Sequence, residues 1–139
     1  MIRFIDSNVF IHALLQPRRR LKDHEVQIKE GAKKILERVM EGEEVSTTVV
    51  HLSETANILE SRISIERTSQ ILTSILNFPS LTVMSVDEQE YSAAVAYSSH
   101  GNFGVNDALA VIKMEKQDIT EIYSFDKHLD GKGLFRLTE

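Results

Sequence analysis

The amino-terminal stretch Met1-Ile2-Arg3-Phe4-Ile5-Asp6 is a short, mainly apolar run, typical of a buried strand, and it ends in an acid. Three further acids lie far along the chain, where an apolar run ends or an apolar helix begins. They are Glu54 after Val45 to Leu52, Asp107 at the start of an Ala- and Leu-rich segment, and Asp126 after Ile122-Tyr123-Ser124-Phe125. In a parallel α/β sheet the strand ends and the following helix starts share one edge, so we expect these four side chains to meet there.

A cluster of four carboxylates is hard to tolerate without a cation. Two carboxylates about 4 Å apart repel each other by about 4 kcal/mol at an effective dielectric constant of about 20. A divalent ion relieves that repulsion, and ligand sets made only of oxygen favour hard ions. The pattern therefore predicts Mg²⁺ or Mn²⁺ between the acids.

The composition indicates a globular protein. With 139 residues, 42% of them hydrophobic, we expect one domain that spans residues 1–139. The absence of cysteine excludes disulfides, thiolate zinc sites and cysteine nucleophiles. No apolar run approaches the roughly 18 residues of a membrane span, and the first one is too short for a signal peptide, so we expect a cytoplasmic protein with no membrane association.

The net charge of −5 argues against broad, nonspecific binding of nucleic acid. It does not exclude a metal-dependent nuclease, because bound cations would reverse the charge at the acidic cluster. The densest basic stretch is Arg18-Arg19-Arg20-Leu21-Lys22. The sequence allows three roles for this stretch: a solvated loop, a phosphate contact or a contact with a protein partner.

Hydrophobic periodicity alternates between short strands and helices. The predicted strands are residues 2–6, 45–50, 81–86, 121–125 and 134–137. The predicted helices are residues 8–15, 25–40, 54–61, 64–78, 87–99 and 106–116, with Ser53 as the expected cap of the third. This alternation predicts a three-layer α/β/α sandwich with a central, mainly parallel sheet of four to five strands.

Four pieces of the sequence, taken in order, resemble the PIN-domain nuclease family. They are Phe4-Ile5-Asp6-Ser7-Asn8-Val9-Phe10, Ser53-Glu54, Asn106-Asp107-Ala108-Leu109-Ala110, and Ser124-Phe125-Asp126-Lys127. Each piece alone is a weak signal, but their order and the chain length together are specific. The size also resembles that of the toxin ribonucleases of VapBC-type toxin–antitoxin pairs.

The resemblance implies metal-dependent hydrolysis of RNA phosphodiester bonds. By the pattern of the family, Asp6, Asp107 and Asp126 would hold Mg²⁺ or Mn²⁺, and Glu54 would act directly or through a bound water. Asn8 and Ser124 match the polar residues that orient these acids by hydrogen bonds. The resemblance also implies an RNA substrate, a small antitoxin as partner and a homodimer, but names neither the RNA nor the number of ions.

Several assignments stay open. Asp130 could be a further acid of the cluster, and His128 could be a surface residue or could assist a water or phosphate. The basic residues that would approach RNA are assigned only by proximity to the expected edge: Lys127, Lys132, Lys113 and Arg3. The apolar stripe of the fourth helix is either core or, together with Ile58 and Leu59, part of a dimer face.

The sequence is also compatible with two other functions. The chain could be a PIN-fold binding module without catalysis, or a receiver-type phospho-acceptor signalling domain. A receiver needs two adjacent acids after the first strand and an acceptor Asp after the third, whereas this sequence has Asp6-Ser7 and an Asp87 that is typical of a helix cap. Each acid alone would also fit a structural role, such as an N-cap or a first-turn acid stabilised by the helix dipole.

Overall fold

The structure, a computed structural model, describes all residues from Met1 to Glu139. The chain forms five strands and six helices, with two helices after each of the first three strands. The strands are β1 (Arg3–Ile5), β2 (Val45–Thr48), β3 (Leu81–Met84), β4 (Glu121–Tyr123) and β5 (Phe135–Leu137). The helices are α1 (Ser7–Leu14), α2 (Asp23–Met40), α3 (Val49–Glu60), α4 (Ile65–Leu76), α5 (Glu88–Gly101) and α6 (Val105–Lys116), and a 3₁₀ turn spans Lys127–Leu129.

All five strands are parallel, in the order β3-β2-β1-β4-β5. Strand β1 is central and pairs with β2 on one side and β4 on the other. The chain therefore winds outward from β1 in both directions, and the crevice of such a sheet opens at the carboxyl end of the central strand. Asp6 stands at that end. The predicted α/β/α sandwich with a mainly parallel sheet is confirmed.

The core lies on both faces of the sheet. Phe4 and Ile5 are both completely buried, and they point to opposite faces because side chains alternate along a strand. Ile5 packs in a cluster with residues of α1 and α2, whereas Phe4 packs with residues of α6 and with Ile122. This burial on both faces explains why two apolar residues, Phe4 and Ile5, stand side by side in β1 instead of alternating with polar ones.

Helix α3 begins earlier than the sequence predicts. The predicted strand through Val50 and the cap at Ser53 are wrong, because the backbone turns into the helix at Val49. Thr48 is the cap, and its Oγ1 accepts a hydrogen bond from the backbone N–H of His51 at 3.1 Å. Glu54 therefore lies in the second turn of α3 and not at its amino end, so it reaches the sheet edge from the body of the helix.

The ends of the other elements differ from the prediction by a few residues. Helix α5 starts after an Asp87 cap whose carboxylate accepts from the N–H of Glu90. Of the two alternatives for Leu59, core or dimer face, the structure supports the core, because Leu59 is completely buried. None of the helices combines the length and the apolar character that crossing a membrane would require.

Candidate active site

The four acids line one cleft at the carboxyl edge of the sheet. The cleft has a volume of about 330 Å³. Its walls come from four separate parts of the chain: Asp6, Ser7, Asn8, Ile11, Glu54, Ile58, Gly104, Val105, Asn106, Asp107 and Asp126. The convergence that the sequence predicts for Asp6, Glu54, Asp107 and Asp126 is therefore present in the folded chain.

Asp6 is the most buried of the four acids, with 4% of its surface exposed. It caps α1 by accepting from the backbone N–H of Ser7 at 2.8 Å, and it also accepts from Ser124 Oγ at 2.7 Å. Burial raises the pKa of the Asp6 carboxyl, and the nearby Glu54 charge raises it further, while the hydrogen bonds from Ser124 and Ser7 lower it.

Asn8 and Ser124 connect Asp6 to the loop that carries Asp126. Ser124 Oγ accepts from the backbone N–H of Asp126 at 3.0 Å while it donates to Asp6. Asn8 Oδ1 accepts from the N–H of Phe125 at 3.2 Å, and Asn8 Nδ2 lies 3.4 Å from the Asp6 carboxylate. The two side chains hold the loop after β4 against the end of β1, which fixes the relative positions of Asp6 and Asp126.

Glu54 is held by two donors on opposite sides. Its Oε1 accepts from Ser7 Oγ, and its Oε2 accepts from Asn106 Nδ2, both at very close range. The sequence does not predict these roles for Ser7 and Asn106, although both stand next to a predicted acid. These bonds tie the second turn of α3 to the starts of α1 and α6.

The carboxyls of Asp107 and Asp126 lie within 4.8 Å of each other, close enough for one of them, when it carries a proton, to stabilise the charge of the other. Burial, the interaction with Asp126 and the charges of the other acids raise the pKa of Asp107 to about 8. The pKa of Asp126 is lowered, because the interaction with Asp107 and the hydrogen bonds from His128 outweigh its partial burial. Asp107 is thus the acid that carries the proton near neutral pH.

His128 adds a nitrogen to this pair. Its Nδ1 lies 3.0 Å from Asp126 Oδ1, and the side chain is largely exposed. One ligand atom from each of Asp107, Asp126 and His128 lies within 4.8 Å of the others. His128 is therefore at the rim of the cleft, within reach of an ion or a phosphate that contacts Asp126.

His51 is a site residue that sequence reasoning missed. It is completely buried, and its Nε2 lies 3.1 Å from the carbonyl oxygen of Asn106, which can only accept, so Nε2 carries the hydrogen. Nδ1 then accepts from the hydroxyl of Thr48 at 2.7 Å. Burial lowers the pKa of His51, consistent with this neutral form. Its position three residues before Glu54, on the same helix face, is the signal that could have revealed it.

The structure corrects three assignments: one possible acid of the cluster and two possible RNA contacts. Asp130 pairs with Arg136 at 2.8 Å and does not line the cleft. Lys113 is buried against Glu90 at 2.7 Å. Arg3 lies at the amino end of β1, opposite the acids, and pairs with Glu43 at 2.6 Å. Neither Lys113 nor Arg3 can approach a substrate at the acidic edge.

The other two basic candidates do not line the cleft either. Lys127 is exposed, and Lys132 Nζ lies 4.4 Å from the centroid of the Phe103 ring. Asp87, the residue that a receiver would need as acceptor, is the cap of α5 and stands outside the cleft. The arrangement after β3 therefore gives no support to a phospho-acceptor.

Comparison with solved structures shows that the fold recurs. VapC20 of Mycobacterium tuberculosis, described as a toxin that cleaves the sarcin–ricin loop, has a TM-score of 0.72 at 19% identity, with 96% of each chain covered. VapBC2 of Rickettsia felis, bound to a promoter DNA fragment, has a TM-score of 0.64 at 14% identity, covering 99% of this chain and 98% of that chain. FitAcB of Neisseria gonorrhoeae gives 0.63 at 13% identity, with 99% and 96% covered.

These identities are low, so the similarity establishes a shared fold. No curated protein sequence matches the chain significantly. The family model described as the PIN domain, in contrast, matches residues 3–133, which contain β1 through the loop before β5 and all four acids. The chain belongs to the PIN domain family.

Proposed function

We propose that this protein is a Mg²⁺- or Mn²⁺-dependent endoribonuclease whose catalytic acids are Asp6, Glu54, Asp107 and Asp126. The observation that carries the proposal is the convergence of these four carboxylates from four separate elements on one cleft. Such a cluster is costly for a structural role alone, since its members repel and one of them must hold a proton near neutral pH. Perturbed acids in a cleft are typical of functional sites.

The donor set fits a hard divalent cation. Asp6, Asp107 and Asp126 offer only carboxylate oxygens, which Mg²⁺ and Mn²⁺ prefer, and no soft ligand lines the cleft. A bound cation supplies an activated water and neutralises the charge that develops on the phosphate. Its charge would also take over the role of the proton on Asp107.

The side chains around the acids supply orientation. Ser124 and Asn8 fix Asp6 relative to the Asp126 loop, while Ser7 and Asn106 hold both oxygens of Glu54. Glu54 is therefore presented to the cleft in one orientation and acts either directly or through a bound water. The chain needs no side-chain nucleophile, which agrees with the absence of cysteine.

The test is cleavage of RNA by the purified protein with Mg²⁺, with Mn²⁺ and with excess chelator. Asp6→Asn should abolish cleavage and keep the fold, since the asparagine Oδ1 can still accept from the N–H of Ser7. Asp130→Asn is the matched control, because Asp130 is an exposed acid of the same region that faces Arg136. Cleavage that persists in Asp6→Asn or in chelator contradicts the proposal.

We further propose that the protein is the toxin of a two-component pair, acts in the cytoplasm and forms a homodimer. Support comes from the structural neighbours, which include the VapC20 toxin and a toxin–antitoxin complex from Klebsiella pneumoniae. A small neighbouring reading frame whose product suppresses the RNA cleavage on co-expression is the expected finding. A free-standing gene with no such neighbour would contradict the toxin role without affecting the nuclease proposal.

The second candidate function is a PIN-fold binding module that has lost catalysis. Titration of Mn²⁺ combined with the cleavage assay separates the two. Binding of the ion with no cleavage of any RNA would favour the module.

A further inference from the structure

Helices α1 and α3 form the two walls of a groove that leaves the acidic cleft. Both helices start at the carboxyl edge of the sheet, next to each other, and they pack together. Residues four apart on a helix lie on one face. The α1 wall carries Ser7 and Ile11 at that spacing and continues to Leu15, the C-cap of the helix. The α3 wall carries Glu54 and Ile58 and continues to Arg62, in the turn after the helix ends at Glu60.

The cavities along these walls are continuous. Ile11 and Ile58 line the acidic cleft and also a neighbouring cavity of about 220 Å³. That cavity in turn shares residues with a third one of about 480 Å³, at the loop after α1. The shared residues are Leu15, Pro17, Arg19 and Arg62. The surface therefore runs without a break from the carboxylates to the arginine loop.

The chemistry changes along the groove from acidic through apolar to basic. At the basic end, Arg18 and Arg62 are exposed and form no ion pair. Arg19 pairs with Glu25 at 2.5 Å, the only acid that lines this end. Lys29 donates to the carbonyls of His12 and Leu15 at the end of α1, so its ammonium group already has hydrogen-bond partners within the protein. The two guanidinium groups of Arg18 and Arg62 therefore remain available for a ligand.

We propose that this groove binds the RNA strand that extends from the cleavage site, with Arg18 and Arg62 on its phosphates and the isoleucine-lined middle against its riboses and bases. The proposal rests on the nuclease function proposed above. Glu60, the last residue of α3, lies six residues or about 9 Å along the helix from Glu54, and Arg62 lies in the turn beyond it. The arginines would therefore meet phosphates beyond the one that is cleaved.

A single-stranded nucleic acid fits this order of chemistries better than an acidic peptide does. Guanidinium groups bind phosphate oxygens through paired hydrogen bonds, and the carboxylate end would hold phosphate oxygens through its cations. The apolar segment between them suits a chain whose charges are spaced along a backbone and whose bases present flat, apolar faces. Because the whole chain carries a net charge of −5, attraction of RNA has to be local.

The test compares RNA binding in variants that lose one or both arginines. The probe is a fluorescein-labelled single-stranded RNA, and all proteins carry Asp107→Asn so that the probe is not cleaved. Each of Arg18→Ala and Arg62→Ala should weaken binding and reduce the slope of log K against log salt by about 0.7. Arg67→Ala is the control, since Arg67 is exposed on the first turn of α4 and lines none of the three cavities.

Cleavage kinetics give a second readout in proteins that retain Asp107. The double variant should raise KM more than it lowers kcat, because the arginines lie away from the reacting phosphate. Unchanged salt dependence and unchanged KM in an active protein would overturn the groove and leave the nuclease function intact. Arginine-dependent RNA binding by a protein that never cleaves RNA would support the groove and contradict the nuclease function. Loss of a protein partner by the double variant, with RNA binding unchanged, would also overturn the groove proposal.

Discussion

At the scale of single residues, His51 shows how a buried side chain can position several acids at once. It bridges Thr48 at the start of α3 and the Asn106 carbonyl at the start of α6, and it lies close enough to Asp6 and Glu54 to interact with their charges. The ring packs edge-on against Phe4 with 5.0 Å between centroids. It therefore fixes the distance between the helices that carry Glu54 and Asp107.

We expect His51→Gln and His51→Phe to differ in metal binding. The glutamine amide N–H can donate to the Asn106 carbonyl as Nε2 does, whereas phenylalanine keeps a ring but leaves the carbonyl without a donor and the proton of the Thr48 hydroxyl without an acceptor. Each unpaired group costs about 1–3 kcal/mol of stability. Calorimetric titration with Mn²⁺, alongside denaturant unfolding, should show weaker binding in His51→Phe and partial rescue in His51→Gln. Equal Mn²⁺ affinity in both variants would contradict a positioning role.

Sequence reasoning located the four acids because each one stands at a local landmark, the end of a strand or an apolar run or the start of a helix. It could not locate their partners. Ser7 meets Glu54, and His51 meets Asn106, only after distant segments have packed, and no local pattern specifies those contacts. Lys113 was misplaced for a similar reason, since its burial depends on Glu90, which belongs to another helix.

At the scale of elements, the position of α3 is set by a competition between β-branched propensity and a cap. Val49 and Val50 favour a strand, but the Thr48 side chain satisfies a backbone N–H in the first turn of the helix, and the chain turns there. The helix therefore starts five residues before Glu54 and runs on toward Arg62, which creates the long wall of the groove. Propensity alone could not predict that outcome.

Helix α2 depends on a close approach by the carboxyl-terminal segment. A Cβ added at Gly31 would lie 2.3 Å from the backbone oxygen of Thr138, so nothing larger than glycine fits. Gly31→Ala should therefore destabilise the protein by about 1–3 kcal/mol, although alanine favours helices. Denaturant unfolding measures the change, with Glu37→Ala as control, because Glu37 is exposed on α2 and does not line the cavity that Gly31 shares with Thr138. A stabilised Gly31→Ala would show that the carboxyl-terminal segment does not pack on α2 as described.

Helix α4 offers the surface for the proposed homodimer. Ile65 is 75% exposed and Leu76 is 59% exposed, and their spacing of eleven residues places them on one face of the helix. Ile65→Glu combined with Leu76→Glu should leave the fold intact and shift the protein to monomer in light scattering. Val26→Glu, at an exposed apolar residue of α2, is the control. A wild type that is monomeric at all concentrations would remove the dimer proposal.

At the scale of the whole molecule, the acidic cluster makes stability depend on pH when no metal is bound. The pKa of Asp107 is about 8 in the folded chain against 3.8 for an unperturbed Asp, and burial raises the pKa of Asp6 in the same direction. Between those two values Asp107 binds more protons in the folded chain than in the unfolded chain, so this acid makes the free energy of unfolding fall as the pH rises. His12 and His51 act in the opposite direction up to about pH 6.5, because burial lowers their pKa and the unfolded chain binds their protons more readily. Above about pH 6.5 the effect of the acids dominates, and the free energy of unfolding falls.

We expect the melting temperature of the metal-free protein to decrease from about pH 6.5 to about pH 8, with most of the loss due to Asp107. Asp107→Asn removes the ionisable group, so this variant should be more stable than wild type in chelator at the upper end of the range and should show a flatter pH profile. Asp130→Asn is the matched control, because Arg136 lowers the pKa of Asp130 and its ionisation is complete across this range. Saturating Mg²⁺ or Mn²⁺ should raise the melting temperature of wild type most at high pH, where the carboxylates are free of protons and bind the cation best. A wild-type melting temperature that rises across the interval in chelator, or an Asp107→Asn profile parallel to it, would show that the four acids do not repel one another as their positions require.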